Sequence, residues 1–319
     1  MCIAWKNDRP IVILFGPTAV GKTDLVVRLF EGKGEIVSVD SMQVYRGMDI
    51  GTAKPAPELR ARIPHHLIDI KDPDEQYSVG EFVRAADSLV TEILSRGKLP
   101  ILSGGTAFYF KHFLFGLPTA PAADPGIRSS LREELAANGL ARLYERLARI
   151  DPDAGKRIHP GDTYRILRAL EIHRMTGNPP SSYLSAAAPR AGCRFFTAGL
   201  DRDRAELYAR IENRVDLMFR DGLAEEAAGL VEAGYGERSP GMLAIGYREF
   251  FVAARTGCAT LRDIRDAVKR NSRRYAKRQL TFFRSLPGVR WYHPDEEERI
   301  LHDIDSFLAD VSSPPEADV

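Results

Sequence analysis

Eight residues near the N-terminus constrain this chain more than any other stretch. Gly16-Pro17-Thr18-Ala19-Val20-Gly21-Lys22-Thr23 fits G-x-x-x-x-G-K-[ST] at every fixed position, the pattern of a phosphate-binding loop where it joins a strand to a helix. Both flanks are present. Ile11 to Phe15 is an unbroken apolar run, as a strand covered on both faces requires, and Asp24 to Phe30 can continue as a helix. In such a loop the glycines let successive N–H groups turn toward one centre, and the helix N-terminus adds partial positive charge. Lys22 reaches anionic oxygens, and the Thr23 hydroxyl suits Mg2+. The expected ligand is a polyphosphate with Mg2+ as cofactor. Whether that polyphosphate sits on a nucleotide or on something else is not encoded in these residues.

Downstream, strand and helix alternate. Glu35 to Val39 reads as a second strand ending on Asp40, and Ser41-Met42-Gln43 follows it. In open parallel sheets ligands gather outside the carboxyl ends of strands, so Asp40 is expected to face the same crevice as the loop; a turn or capping aspartate is the plainer alternative. Leu67 to Ile70 is a strand candidate preceded by His65 and His66, which lack an acidic or cysteine partner at ligand spacing and read as loop histidines. Ser78 to Arg96 is helical by periodicity, with a capping box from Ser78 to Glu81. Leu99 to Leu102 is a buried strand running into Gly104-Gly105-Thr106, where backbone and hydroxyl can approach a ligand or Thr106 can simply cap the next helix.

The pattern then changes. Ile127 to Met175 is helical, broken at Asn138-Gly139 and at His159-Pro160-Gly161-Asp162, and Asn178 to Gly192 is a connecting loop. Arg194 to Leu200 returns to the sheet, and Arg204 to Phe219 is a helix carrying Arg210 and Arg214 one turn apart, with Glu206, Glu212 and Asp216 as possible surface partners. Residues 269–278 hold six basic side chains in ten positions; 270, 273, 274, 277 and 278 share one helical face. Such like charges repel unless an anion offsets them, which points to nucleic acid; a solvated basic face is the plainer alternative.

The organisation expected is a P-loop NTPase-like α/β core, a parallel sheet flanked by helices, over 1–123 and 193–294. A helical insertion covers 124–192, and an acidic tail covers 295–319. That tail carries a net charge of −8 against +9 for the rest, and a short helix near Ile300 to Leu308 is expected before it frays. No apolar run approaches the about 18 residues of a membrane span, and residues 1–10 do not read as a secretory signal. The three cysteines, Cys2, Cys193 and Cys258, have no paired spacing. A cytoplasmic protein with no membrane association is expected. With no heptad or broad apolar stripe, a monomer is expected too.

Taken in order, these motifs resemble the tRNA dimethylallyltransferases, or isopentenyltransferases, of the bacterial type. The matching stretches are the loop, Ser38-Val39-Asp40-Ser41-Met42-Gln43-Val44-Tyr45 and Met48-Asp49-Ile50-Gly51-Thr52-Ala53-Lys54-Pro55. Further along come Gly104-Gly105-Thr106, His159-Pro160-Gly161-Asp162, Ile245-Gly246-Tyr247-Arg248-Glu249 and Tyr275-Ala276-Lys277-Arg278-Gln279. The resemblance implies transfer of a dimethylallyl group from dimethylallyl diphosphate to the exocyclic amine of the adenosine 3′ of a tRNA anticodon. It implies that Asp40 is the general base, that Thr106 positions a diphosphate oxygen, and that Arg214 reaches the diphosphate. It further implies tRNA contacts at Asp40, Ser41, Met42, Gln43, Thr106 and Arg128, and at Tyr164, Arg165, Ile166, Leu167 and Arg168. Leu243, Ala244, Ile245, Gly246, Tyr247 and Arg248 form another contact segment, and Arg273, Arg274, Lys277 and Arg278 lie on the basic helix.

Three rivals stand beside this reading. In a small-molecule kinase, ATP would fill the loop and Asp40 would deprotonate a hydroxyl; the basic helix would then have no task. An adenylate isopentenyltransferase acting on a free nucleotide would not need so large a positive surface or the insertion. A nucleic-acid-binding switch without catalysis would leave Asp40 and Thr106 without a role.

Overall fold

The protein is described here from a computed structural model covering residues 9–183, 188–257 and 259–312. Cys2, Cys258 and the end of the acidic tail, 313–319, lie outside the described residues. Strands β1 (Arg9–Phe15), β2 (Gly34–Val39), β3 (His65–His66), β4 (Leu99–Gly104), β5 (Cys193–Leu200) and β6 (Arg290–Tyr292) form one sheet in the order β3-β2-β4-β1-β5-β6. Every pairing is parallel. The first helices are α1 (Lys22–Phe30), α2 (Pro57–Arg62), α3 (Val79–Ser95), α4 (Ala107–Phe115), α5 (Pro125–Ile150), α6 (Pro152–Arg157) and α7 (Thr163–Thr176). The later ones are α8 (Arg204–Arg220), α9 (Leu223–Glu232), α10 (Arg248–Thr256), α11 (Leu261–Phe283) and α12 (Glu297–Ser312).

Both faces of the sheet are covered, which is why β1 runs apolar from Ile11 to Phe15. Ile11 to Phe15 are fully buried. Side chains alternate along β1: Val12 and Leu14 join a core with Leu25 and Leu29 of α1 and Ile300 and Ile304 of α12. Phe15 instead stacks on Phe283 of α11 at 4.2 Å and meets Phe110 of α4 edge-on. Gly34 is required where β2 meets β4, since a Cβ there would lie 2.2 Å from Ile101 Cδ1.

Three expectations are corrected. The third strand is His65–His66 and not Leu67 to Ile70: Leu67 and Asp69 take left-handed φ of 62° and 57°, which an extended strand cannot contain. His66 also has an acidic partner, Glu35 on the neighbouring strand at 2.7 Å, and Glu35 is shared with Arg96. Residues 295–312 are not a separate tail, because α12 buries Ile300 and Ile304 in the sheet's core.

The chain divides into two units, 1–114 with 190–319 and 115–189. These bounds differ from the expected 124–192 for a physical reason at each end. Pro121 O accepts from Arg168 of α7, so 115–123 belong with the helices. Arg190 donates its N–H to Leu114 O and pairs bidentately with Asp87 at 2.9 Å, so it belongs with the sheet. The helical unit has its own core of Leu131, Leu143, Leu147, Ile166 and Leu170. Gly139, at φ 74° and ψ 162°, interrupts α5 at the expected Asn138-Gly139 break.

Candidate active site

The four longer strands all end at the same edge, and each hands over to a segment of the site: β1 to Gly16, β2 to Asp40, β4 to Gly105 and Thr106, β5 to Asp201. A cavity of about 410 Å3 opens there, lined by Thr18, Ala19 and Gly21 to Thr23 of the phosphate loop, by Asp40 to Gln43, by Gly104 and Gly105, and by side chains of α8 and α11.

The loop's geometry separates its donors from its acceptors. Lys22 Nζ donates to the carbonyls of Gly16 at 3.0 Å and Pro17 at 2.8 Å. Arg210 Nε donates to Ala19 O at 2.8 Å, and Arg202 Nε to Val20 O at 2.9 Å. Four carbonyls are thus held by cationic side chains. Among the described residues the amides of Ala19, Gly21, Lys22 and Thr23 have no acceptor. Such a run of N–H groups at a helix N-terminus is an anion cradle. The left-handed φ of 65° at Ala19 and 108° at Gly21 produces the turn. Gly16 is needed because a Cβ would lie 2.8 Å from Leu200 O.

The charges around the cradle are unbalanced. Burial, with Arg214 second, brings the Lys22 amine down to about 7 against the opposing pull of Asp40. Burial also lowers Arg214, with Arg210 adding to it, and Arg214 Nη1 stands 3.4 Å from Thr18 Oγ1. The acids offered by the sequence as partners for these arginines are engaged elsewhere: Glu206 with Arg202, Glu212 with Arg273, and Asp216 with Lys269. A cluster of desolvated cations facing unpaired amides favours an anion of high charge.

Asp40 is both of the things the sequence allowed. Its Oδ1 closes an Asx turn, accepting from Met42 N at 2.9 Å and Gln43 N at 3.3 Å, and its Oδ2 has no partner among the described residues. Desolvation raises its pKa above the ordinary 3.8, outweighing those two amides and Lys22. A carboxylate held by one oxygen, with the other unpartnered in a desolvated cavity, is placed to accept a proton. Thr106 does not spend its hydroxyl on capping α4: Oγ1 accepts from Ser41 N at 2.9 Å and lies 3.3 Å from Ser41 Oγ.

The other nominated residues divide into several groups. Ser41, Met42, Gln43, Leu243, Ala244, Ile245, Arg248 and Arg278 line the cavity with Asp40. Tyr247 is fully buried, so its side chain is not a contact surface: it packs where a Gly51 Cβ would lie 2.5 Å from its ring, and its hydroxyl donates to Glu226 at 2.6 Å. Ile166 is likewise buried, in the helical unit's own core. Arg128 and Arg168 both pair with the fully buried Glu171, while Tyr164 is 70 % exposed. On α11, Arg273 pairs with Glu212 and Lys269 with Asp216, so the basic face is partly neutralised from within. Arg270, Arg274, Lys277 and Arg278 remain exposed.

Sequence reasoning missed residues that hold the site together. Glu226 accepts from the amides of Asp49 at 2.9 Å, Ile50 at 2.8 Å and Gly51 at 3.0 Å, fixing the Met48–Lys54 loop. Glu249, 4 % exposed, accepts from Gly246 N and Asn271 Nδ2. Gln279 joins the phosphate loop to Gly105. Glu249 and Gln279 lie in family-matching stretches, and Gln279 also stands out as a polar residue on the buried stripe of Val268, Ala276 and Phe283, whereas Glu226 left no legible signal.

Most of the chain is related to known proteins. The family model described as IPP transferase matches residues 43–286. This chain belongs to the IPP transferase family. It is 50 % identical to the tRNA dimethylallyltransferase of Geobacter sulfurreducens over 285 residues, 88 % of this chain and 91 % of the relative. It is similar to tRNA dimethylallyltransferase 2 of Geotalea uraniireducens, at 44 % identity over 94 % and 97 % of the two chains. Among solved IPP transferase structures, the full-length tRNA isopentenylpyrophosphate transferase of Bacillus halodurans superposes with a TM-score of 0.70 at 40 % identity, covering 96 % and 98 %. A eukaryotic dimethylallyltransferase captured acting on tRNA gives a TM-score of 0.78 at 25 % identity, covering 98 % and 82 %. The family's phosphate-loop fold accounts for the sheet order and the crevice; Gln43, Glu226, Glu249 and Gln279 all fall within the matched span.

Proposed function

We propose that this protein is a tRNA dimethylallyltransferase, moving a dimethylallyl group from dimethylallyl diphosphate to the exocyclic amine of the adenosine 3′ of the anticodon. The observation that carries the reading is one cavity with an amide-lined cation cluster at one side and the partner-free Oδ2 of Asp40 at another. The loop amides, Lys22 and Arg214 hold the diphosphate and stabilise the charge that grows on it as the allylic C–O bond breaks. The amine nitrogen forms the new C–N bond, and Asp40 takes the proton it loses. Thr106 holds the Ser41 amide and so steadies the turn that presents Asp40. An adenine in a single-stranded loop is unstacked at a cost of only a few kcal/mol, so it can enter the crevice.

Mg2+ suits the donor set. Thr23 supplies a hard hydroxyl oxygen on the cavity wall beside the amide cradle. That matches an ion held jointly with phosphate oxygens, which would neutralise the leaving group. Among the described residues no helix is long and apolar enough to cross a membrane.

Labelled dimethylallyl diphosphate, offered with unmodified tRNA or with AMP, tests the reading. Label is expected on tRNA alone. Label on AMP would favour the free-nucleotide reading, and label on neither, with phosphate transfer from ATP, the kinase reading. Asp40→Asn is expected to lose turnover while binding tRNA, and the wild-type rate should fall off in acid above the ordinary carboxylate range, because the Asp40 pKa is raised. An acid limb unchanged in a tRNA-binding Asp40→Asn enzyme would remove Asp40 from the chemistry.

A further inference from the structure

Gln279 is 3 % exposed on α11, between the apolar Ala276 and Phe283. Its Oε1 accepts from Thr18 N–H at 3.0 Å, and its Nε2 donates to the Gly105 carbonyl at 2.7 Å. One partner can only donate and the other only accept, so the amide has a single orientation. Burying a polar side chain is unfavourable unless its bonds are made, and here both are. The neighbouring backbone is shaped for it: a Cβ on Gly105 would lie 2.5 Å from Nε2.

The two segments that Gln279 joins carry different halves of the site. Thr18 opens the amide cradle and stands beside Arg214. Gly105 leads into Thr106, whose amide donates to Val39 O at 3.0 Å and whose hydroxyl accepts from Ser41 N, next to Asp40. Hydrogen bonds and covalent links therefore run without a break from the phosphate loop through Gln279 to the carboxylate turn. The helix that supplies Gln279 also exposes Arg274, Lys277 and Arg278 within one or two turns.

We propose that Gln279 is a positioning residue that sets the phosphate loop relative to the Asp40 turn, holding the leaving-group cradle and the base at one spacing. This deepens the reading given above and rests on it for the identity of the reaction. Without the side-chain amide, Thr18 N–H and Gly105 O would each lose a buried partner and the two segments could shift independently.

Two variants test it. Gln279→Leu retains comparable bulk and loses both bonds; Gln279→Glu keeps an acceptor for Thr18 but sets a carboxylate oxygen against the Gly105 carbonyl. Inorganic pyrophosphate with Mg2+ is titrated by calorimetry, a tRNA anticodon stem-loop by fluorescence anisotropy, and the single-turnover rate is measured at saturating donor. Both variants are expected to lose roughly tenfold or more in pyrophosphate affinity and in rate, with stem-loop affinity within about twofold of wild type. Pyrophosphate affinity equal to wild type would overturn the proposal. So would losses shared equally with stem-loop binding and accompanied by a lower Tm, the mark of a purely structural residue. If Gln279→Leu does not fold, Gln279→Glu decides alone by the same criteria. Wild-type protein that binds pyrophosphate yet modifies no tRNA would overturn the assigned reaction; the pyrophosphate comparison would still decide the role of Gln279.

Discussion

The Thr106 hydroxyl accepts a hydrogen bond from the Ser41 amide at 2.9 Å, which ties the end of β4 to the turn that follows β2 and carries Asp40. A residue whose local sequence suggests a helix cap is thereby a cross-strand brace. Thr106→Val keeps the shape and removes the acceptor, leaving a part-buried N–H unsatisfied, at a cost of about 1–3 kcal/mol. Turnover is expected to fall at least about tenfold while Thr106→Ser stays near wild type. Equal rates for the two variants, measured at saturating donor and tRNA, would show that the brace has no part in turnover.

Lys22 gives a pH dependence with a definite sign. Its amine sits at about 7 in the protein against 10.5 when unperturbed. An anion in the cradle favours the charged form, so diphosphate binding at pH 8 is expected to take up nearly one proton, and affinity should fall as pH rises above about 7, by up to tenfold per unit. Calorimetry in buffers of different ionisation enthalpy reads the uptake; heats independent of buffer would contradict it. The same depressed value means the unfolded chain holds the extra proton between about 7 and 10.5, so this residue's contribution to stability rises with pH across that window.

Glu226 accepts from three consecutive amides and from the Tyr247 hydroxyl. Glu226→Leu strands those donors, and a stability loss of about 2–5 kcal/mol is expected, larger than for a surface carboxylate. Denaturant unfolding measures it. Glu226→Gln, which retains one acceptor oxygen, should lose less; an equal loss would mean that charge, not hydrogen bonding, matters here.

On α11 two adjacent arginines are expected to behave differently. Arg274 is exposed, whereas Arg273 pairs with Glu212 of α8. Arg274→Ala should weaken tRNA binding and reduce the slope of log affinity against log salt by up to about one. Arg273→Ala should mainly loosen the contact between α8 and α11, with a smaller change in slope. Identical salt slopes for the two variants, read from filter binding, would place both residues on the same phosphate-facing surface.

One part of the molecule is encoded in contiguous residues and can be read from them directly. The loop from Gly16 to Thr23, the buried strands around it, the capping box at Ser78 and the breaks around Gly139 and His159 follow from local rules: apolar period, glycine conformational freedom and helix-end chemistry. The family motifs placed Asp40 and the loop in one crevice because parallel strands present their carboxyl ends together. How charge is distributed over that frame is settled when distant elements pack together. Glu212 and Asp216 neutralise Arg273 and Lys269 while Arg210 and Arg214 turn to the loop, Tyr247 and Ile166 are buried despite lying in contact motifs, and α12 joins the core. Those outcomes depend on partners many residues apart, and the bond from Gln279 to Thr18 spans 261 positions. Periodicity reports which face of a helix is buried; which polar group waits on the other side is fixed only when the elements meet.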